Sequence, residues 1–249
     1  MYIRSNLGGE RLIQSDPLTF ITLTPLAVGL ALLILPYLAP ASMADFTRKI
    51  SRSLSMGVAL AIFAITTALF LGQIGNIDWL NLQGEYVFKN DSVNLLESIG
   101  VQWVVGVDAL SFPMVWLTAL LIPISMLVEW DAKKGHLFHP LILIMEGALI
   151  GVFVVLDLFV FYVFWELTLI PMFFLILVWG GDDRRYASMK FFIYTFTASV
   201  LMLIGILVMY FHTGEHSSLE TLTKHHFDLV EMTAQASGNG LIAGEGLRH

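Results

Sequence analysis

The chain has 249 residues, 57% of them hydrophobic and only 13% charged, with a mean hydropathy of +0.77 and a formal net charge of −7. That is about half the charge content of a soluble domain. It marks an integral membrane protein, and the acidic balance leaves no basic stripe for nucleic acid. The absence of cysteine excludes disulfides, thiolate metal sites and cysteine-ligated iron–sulfur clusters in this sequence.

Six apolar runs are long enough to span a bilayer, which takes roughly 20 mostly apolar residues. They cover 19–38, 54–74, 109–130, 137–156, 158–179 and 186–211. Arg4 and Arg11 before the first run, and the small residues Ala39 to Ala44 after it, imitate a secretion signal. A signal core is only about 7–15 residues long, so the first run reads as a span. Pro25, Pro36, Pro113, Pro123 and Pro171 fall in or near spans, where neighbouring helices re-satisfy the freed carbonyls.

Arg48, Lys49 and Arg52, then Lys133 and Lys134, then Arg184, Arg185 and Lys190 fall at one side, eight of the 13 basic residues. The positive-inside rule puts that side in the cytoplasm and both termini outside. The loop 75–106 is then extracytoplasmic and acidic. Its YVFK and VQWVV segments have the composition of short strands or a hairpin. Trp103, Trp130 and Trp179 sit near span ends as interface anchors. The segment 212–249 reads as a polar solvated tail. His225 and His226 in it are adjacent, and adjacent residues on a helix do not face one another.

The stretch Asp157 to Gly181, DLFVFYVFWELTLIPMFFLILVWGG, carries the chemistry. Its aromatic run reads as packing and lipid-facing surface, its WGG as a helix stop. Glu166 is the ninth residue of its span, about 12 Å deep. A carboxylate there costs roughly 2.5–3.5 kcal/mol on insertion scales. Glu146, in the span before, lies about 14 Å in from the other face. The two spans are antiparallel neighbours, so two acids stand at similar depth. Burial and a second carboxylate both disfavour the charged form, which suits a carboxyl that exchanges protons near neutral pH. The structural alternative is a protonated glutamate tying helices together. Asp157 and Asp108 read as helix caps or turn residues. Pro171 frees the carbonyl of Leu167. Lys190 reads as part of the basic anchor, or as a group tuning a proton path.

The Asp157–Gly181 stretch, the following YASMKFFIYTFTASVLMLIGI, and VGVDALSFPMVWLTALLIPISMLVEW from Val105 to Trp130 resemble the antiporter-like M-type subunits of proton-pumping NADH:quinone oxidoreductase (respiratory complex I), called chain 4 in mitochondria. The resemblance runs from about Val105 to Phe211. It implies an all-α integral membrane fold, here six helices of an incomplete fourteen-helix, antiporter-like bundle. It also implies a place among the other membrane-arm subunits, in a prokaryotic inner (plasma) membrane. Redox chemistry is expected in partner subunits, which hold NADH, FMN, iron–sulfur clusters and quinone, with no cofactor in this chain. Glu166 matches the family's essential fifth-helix glutamate. Lys190 matches a lysine at the start of the sixth helix, and no family role is carried over to Glu146. The lysine that works against the glutamate lies on a seventh helix, and the sequence stops where that helix is expected, which suggests a truncated or split subunit unable to pump alone. Subunits of multisubunit Na+/H+ antiporters or membrane-bound hydrogenases share these helices, and a non-catalytic membrane scaffold is the third reading.

Overall fold

The computed structural model describes residues 17–38, 44–73, 88–89, 93–96, 100–130 and 135–213. Six helices form the bundle: α1 (Pro17–Leu38), α2 (Ala44–Gln73), α3 (Ser111–Val128), α4 (Gly135–Val154), α5 (Leu158–Trp179) and α6 (Arg184–Thr213). All six are long and apolar enough to cross a membrane. Four short strands fall between α2 and α3: β1 (Phe88–Lys89), β2 (Val93–Leu96), β3 (Val101–Trp103) and β4 (Gly106–Val107). The tail beyond residue 213, with His225 and His226, lies outside the described residues.

Local chemistry sets the helix ends. Proline at the first position of α1 costs no helical hydrogen bond. Ahead of α3, Asp108 Oδ1 accepts from the amides of Leu110 (3.1 Å) and Ser111 (2.7 Å), as a turn residue should. The α5 chain stops at Gly180, whose amide still donates to the Ile176 carbonyl at 2.9 Å. The helix α2 begins ten residues ahead of its apolar run, and Asp45, Arg48, Lys49 and Arg52 ride on its first turns. Hydropathy reports where the lipid begins, whereas helical backbone bonds continue past that boundary into water.

The strands carry the hairpin expected of VQWVV. β2 pairs antiparallel with β3, with a bulge between Asn94 and Leu96, and β1 pairs with β4. Gly100, in the turn before β3, has φ 72°, the left-handed region that glycine enters without strain. This hairpin end is stitched onto the bundle. Val105 bridges Val155, and Val104 O accepts from Leu156 N at 2.9 Å. The Trp103 indole donates to Thr19 Oγ1 at 3.0 Å, and its ring lies 6.0 Å from that of Phe164.

At the centre is α4, packed against α1, α2, α3 and α5. Glycines let backbones approach, as is common between membrane helices. A Cβ at Gly147 would sit 2.7 Å from Leu26 Cγ and 2.8 Å from Thr22 O on α1. A Cβ at Gly151 would collide with the Phe164 ring of α5. The helix α6 packs on α5.

Two outcomes follow for thermal unfolding in detergent. Gly147→Val should destabilise the bundle by about 1–3 kcal/mol, because the Thr22 carbonyl cannot yield as a flexible side chain would. Asp157→Ala should cost about 1–2 kcal/mol for the lost cap, and Asp157→Asn, which keeps an acceptor oxygen, should cost less.

Candidate functional site

Placement of the acids starts at Asp157, which is fully buried. Its Oδ1 accepts from the amides of Phe159 (2.9 Å) and Val160 (3.0 Å) on the first turn of α5, while Oδ2 accepts from Gln102 N of β3 at 3.0 Å. The cap reading of this residue therefore holds, and the same carboxylate also ties the hairpin to the α4–α5 turn. A fixed first turn sets the depth of every residue after it. Glu166 is nine residues on, and Glu146 is eleven residues back along α4. At 1.5 Å per residue the two differ in depth by only about 3 Å.

Depth is shared, but direction is not. Tyr162, Glu166, Leu169 and Phe173 form one stripe of α5 at helical spacing. The Phe173 ring lies 5.6 Å from that of Phe192 on α6. The Tyr162 hydroxyl lies close enough to the Glu166 carboxyl and to the Ser199 hydroxyl of α6 to interact with both. Ser199 Oγ itself donates to Phe196 O at 2.8 Å. Glu166 thus faces the α5–α6 seam. It is half-buried, and its Oε1 is sealed from solvent with no hydrogen-bond partner among the described residues.

Glu146 shares its stripe of α4 with His139, Leu143 and Ile150, all fully buried. Leu143 packs in one cluster with Met56 and Ala59 of α2 and Ile122 and Met126 of α3. Glu146 therefore turns toward α2 and α3, away from the side of α5 that carries Glu166. Neither of its oxygens has a hydrogen-bond partner among the described residues.

Lys190 is not brought to either acid. It is exposed near the start of α6, with Nζ 3.4 Å from the Tyr186 hydroxyl and over the Tyr186 and Tyr194 rings. It lies nine residues, about 13 Å, along α6 from Ser199. The tryptophans expected as anchors also bind helices together. The guanidinium carbon of Arg52 sits 4.5 Å over the Trp130 ring, the Trp130 ring is 6.0 Å from His139, and the Trp179 ring is 5.2 Å from Phe138. The sequence reading missed Tyr162 and Ser199. Tyr162 was signalled by its i, i−4 spacing from Glu166; Ser199 needed the docking of α6.

Chemically, the seam holds a mid-span acid with a phenol one turn away and a hydroxyl across from it. That is a short chain of groups able to donate and accept protons in an otherwise apolar interior.

Comparison with known proteins agrees with this architecture. The family model described as NADH:quinone oxidoreductase/Mrp antiporter, TM, matches residues 156–245. The F(420)H(2) dehydrogenase subunit M of Methanosarcina mazei is 44% identical over 147 residues, covering 58% of this chain and 29% of its own length. The NAD(P)H-quinone oxidoreductase chain 4-3 of a Nostoc species is 36% identical over 219 residues, covering 88% of this chain and 35% of its own. A chain of respiratory complex I from Thermus thermophilus superposes with a TM-score of 0.65 at 28% identity, over 87% of this chain and 39% of that one. The chain spans about a third of the length of the curated relatives it matches. With the acid-bearing α5 and the whole of α6 inside the region that matches the NADH:quinone oxidoreductase/Mrp antiporter transmembrane model, the chain is similar to the chain 4 and subunit M proteins of such complexes.

Proposed function

We propose that the chain serves as a membrane-arm subunit of a proton-translocating NADH:quinone oxidoreductase-type complex, with Glu166 as a proton relay at mid-span. The observation that carries this reading is the position of the Glu166 carboxyl. It stands midway along a 22-residue apolar helix, with one oxygen sealed away from solvent, a phenol beside it and a hydroxyl beyond that phenol. A carboxyl kept there at the cost of desolvation does something a leucine would not. The names of the relatives are those of oxidoreductase and dehydrogenase subunits, which favours this assembly over a stand-alone antiporter.

In this reading electrons pass through partner subunits, which hold the flavin, the clusters and the quinone. This chain's part is the proton. Glu166 takes one up when no cation is near and releases it when a neighbouring positive charge favours the carboxylate. Tyr162 stands beside the carboxyl and offers the next oxygen along the path, with Ser199 one step beyond it. The basic ends of α2 and α6 face the cytoplasm under the positive-inside rule. Lys190, far from the acid along α6, belongs to that anchor.

The test is proton pumping by the assembled complex in sealed vesicles. Glu166→Gln should lower pumping by at least about tenfold while assembly is kept, the smallest loss expected for a proton-transfer group. Tyr162→Phe should lower it by about two- to tenfold, the worth of one hydrogen bond. Near-normal pumping in Glu166→Gln removes this residue from the mechanism.

A further inference from the structure

A second set of buried polar groups lies on the other side of α4. At the basic end, Arg52 Nη1 donates to the Trp130 carbonyl at 3.4 Å, and the Trp130 ring stands 6.0 Å from that of His139. Arg52 on α2 and His139 on α4 are therefore at one level. Both helices run from there toward the hairpin end. Equal rise along them brings Ala59 to the level of Glu146, seven residues and about 10 Å further in, with Ser55 one turn short of it. Ser51, Ser55 and Ala59 repeat every four residues on one face of α2, and all are fully buried. His139 and Glu146 share one face of α4 and are fully buried too.

The oxygens of Ser51, Ser55 and Glu146 have no hydrogen-bond partner among the described residues. A polar atom buried without a partner costs about 1–3 kcal/mol, so a set of them in one column is not an accident of packing. Serine at these positions could back-bond to its own helix, as Thr22 and Thr66 do at 2.8 Å. Ser51 and Ser55 do not. Buried polar groups that lack protein partners are satisfied by ordered water, provided several of them converge. Here two hydroxyls and a carboxyl are strung along one buried column between α2 and α4, about a turn apart, with an imidazole at the mouth.

We propose that Ser51, Ser55 and His139 line a hydrated proton path from the basic end of the bundle to Glu146, separate from the α5–α6 seam. A proton arriving at the mouth passes along water and hydroxyl oxygens to the Glu146 carboxylate. There the new O–H bond forms and the last water of the path is left neutral. Among the described residues the other titratable groups are few, with His136 in the first turn of α4 and Glu129 just past α3, both toward the mouth. The helix α3 has none, α1 has only Tyr37 in its last turn, and those of α2 (Asp45, Arg48, Lys49 and Arg52) lie in its first turns at the mouth. On α5, Glu166 and Tyr162 face α6. The path thus ends on one acid, and it stands whether or not Glu166 is a relay.

Infrared difference spectroscopy of the assembled complex in membranes, on exchange from H2O to D2O, tests this. The wild type should show a protonated-carboxyl C=O band that shifts promptly in D2O. Glu146→Gln should abolish that band and Glu166→Gln should leave it. Ser55→Val, which fills the column, and the milder pair Ser51→Ala with Ser55→Ala should each slow the band's exchange by about tenfold; the pair keeps the test open should Ser55→Val fail to assemble. Persistence of the band in Glu146→Gln overturns the proposal. So does exchange at the wild-type rate in the serine variants, which would make Glu146 a structural acid reached by another route. Loss of pumping in Glu166→Gln bears only on the α5–α6 relay.

Discussion

One buried carboxylate sets the geometry of everything else. Asp157 accepts two amides from the first turn of α5 and one from β3, all at about 3 Å and with no exposure to solvent. Charge-assisted bonds to backbone amides are about twice as strong as neutral ones, and in a buried turn nothing from water competes. With that turn fixed, α4 and α5 become a rigid antiparallel pair. The Val105–Val155 bridge and the Trp103–Thr19 bond then lock α1 and the hairpin onto the same end. The depth of both glutamates is thereby fixed from a point about 13–16 Å away.

The packing around that pair is uneven, and the unevenness separates the two acids. In the span of α4, 72% of residues are buried, against 22% in α5 and 11% in α6. α4 is a core helix in the ordinary sense, and α5 and α6 present broad apolar faces outward. Hydrophobic burial does not drive helices together in lipid, so close approach must come from small residues and polar bonds. Gly29 and Gly147 supply it between α1 and α4, and Gly151 lets the Phe164 ring of α5 lie against α4. Fine helix-to-helix fit is concentrated on α4, which is why an acid on α4 can be sealed and an acid on α5 is only half-buried.

Much of this was legible in the sequence. Span count follows from hydropathy because backbone satisfaction leaves helices as the default crossing element. Asp157 and Asp108 read as caps because short acidic side chains ahead of apolar runs bond free amides. The VQWVV strand was visible in its β-branched and aromatic content. Rotation about each helix was not legible. Counting residues fixes how deep Glu166 and Glu146 lie, but α5 is apolar on nearly every side, so no stripe marks its inward face. Two acids at one depth on adjacent helices therefore looked like a pair, when one faces α6 and the other faces α2 and α3. Ser51 and Ser55 drew no reading from the sequence, since hydropathy puts the start of that span at Leu54, beyond the one and beside the other. Their burial became visible only once α2 was seen to begin at Ala44 and to lay its first turns against α4.

The separation has an energetic logic. Two carboxyls in one pocket cannot easily be charged together, and their protons come off as properties of the pair. Turned to opposite sides of the α4–α5 pair, the two acids have separate neighbours. Glu166 has a phenol, a hydroxyl and a seam open toward the outer faces of α5 and α6, so a cation approaching from that side can act on it directly. Glu146 is fully buried on a helix packed against four others and has no such side. Whatever changes its charge must reach it along α4 from one of the two ends. The hairpin end is closed by Asp157 and the strand bridge with both oxygens of that carboxylate engaged, whereas the basic end is lined with hydroxyls that have no hydrogen-bond partner among the described residues. Of the two routes, the chemistry of the side chains leaves the basic one.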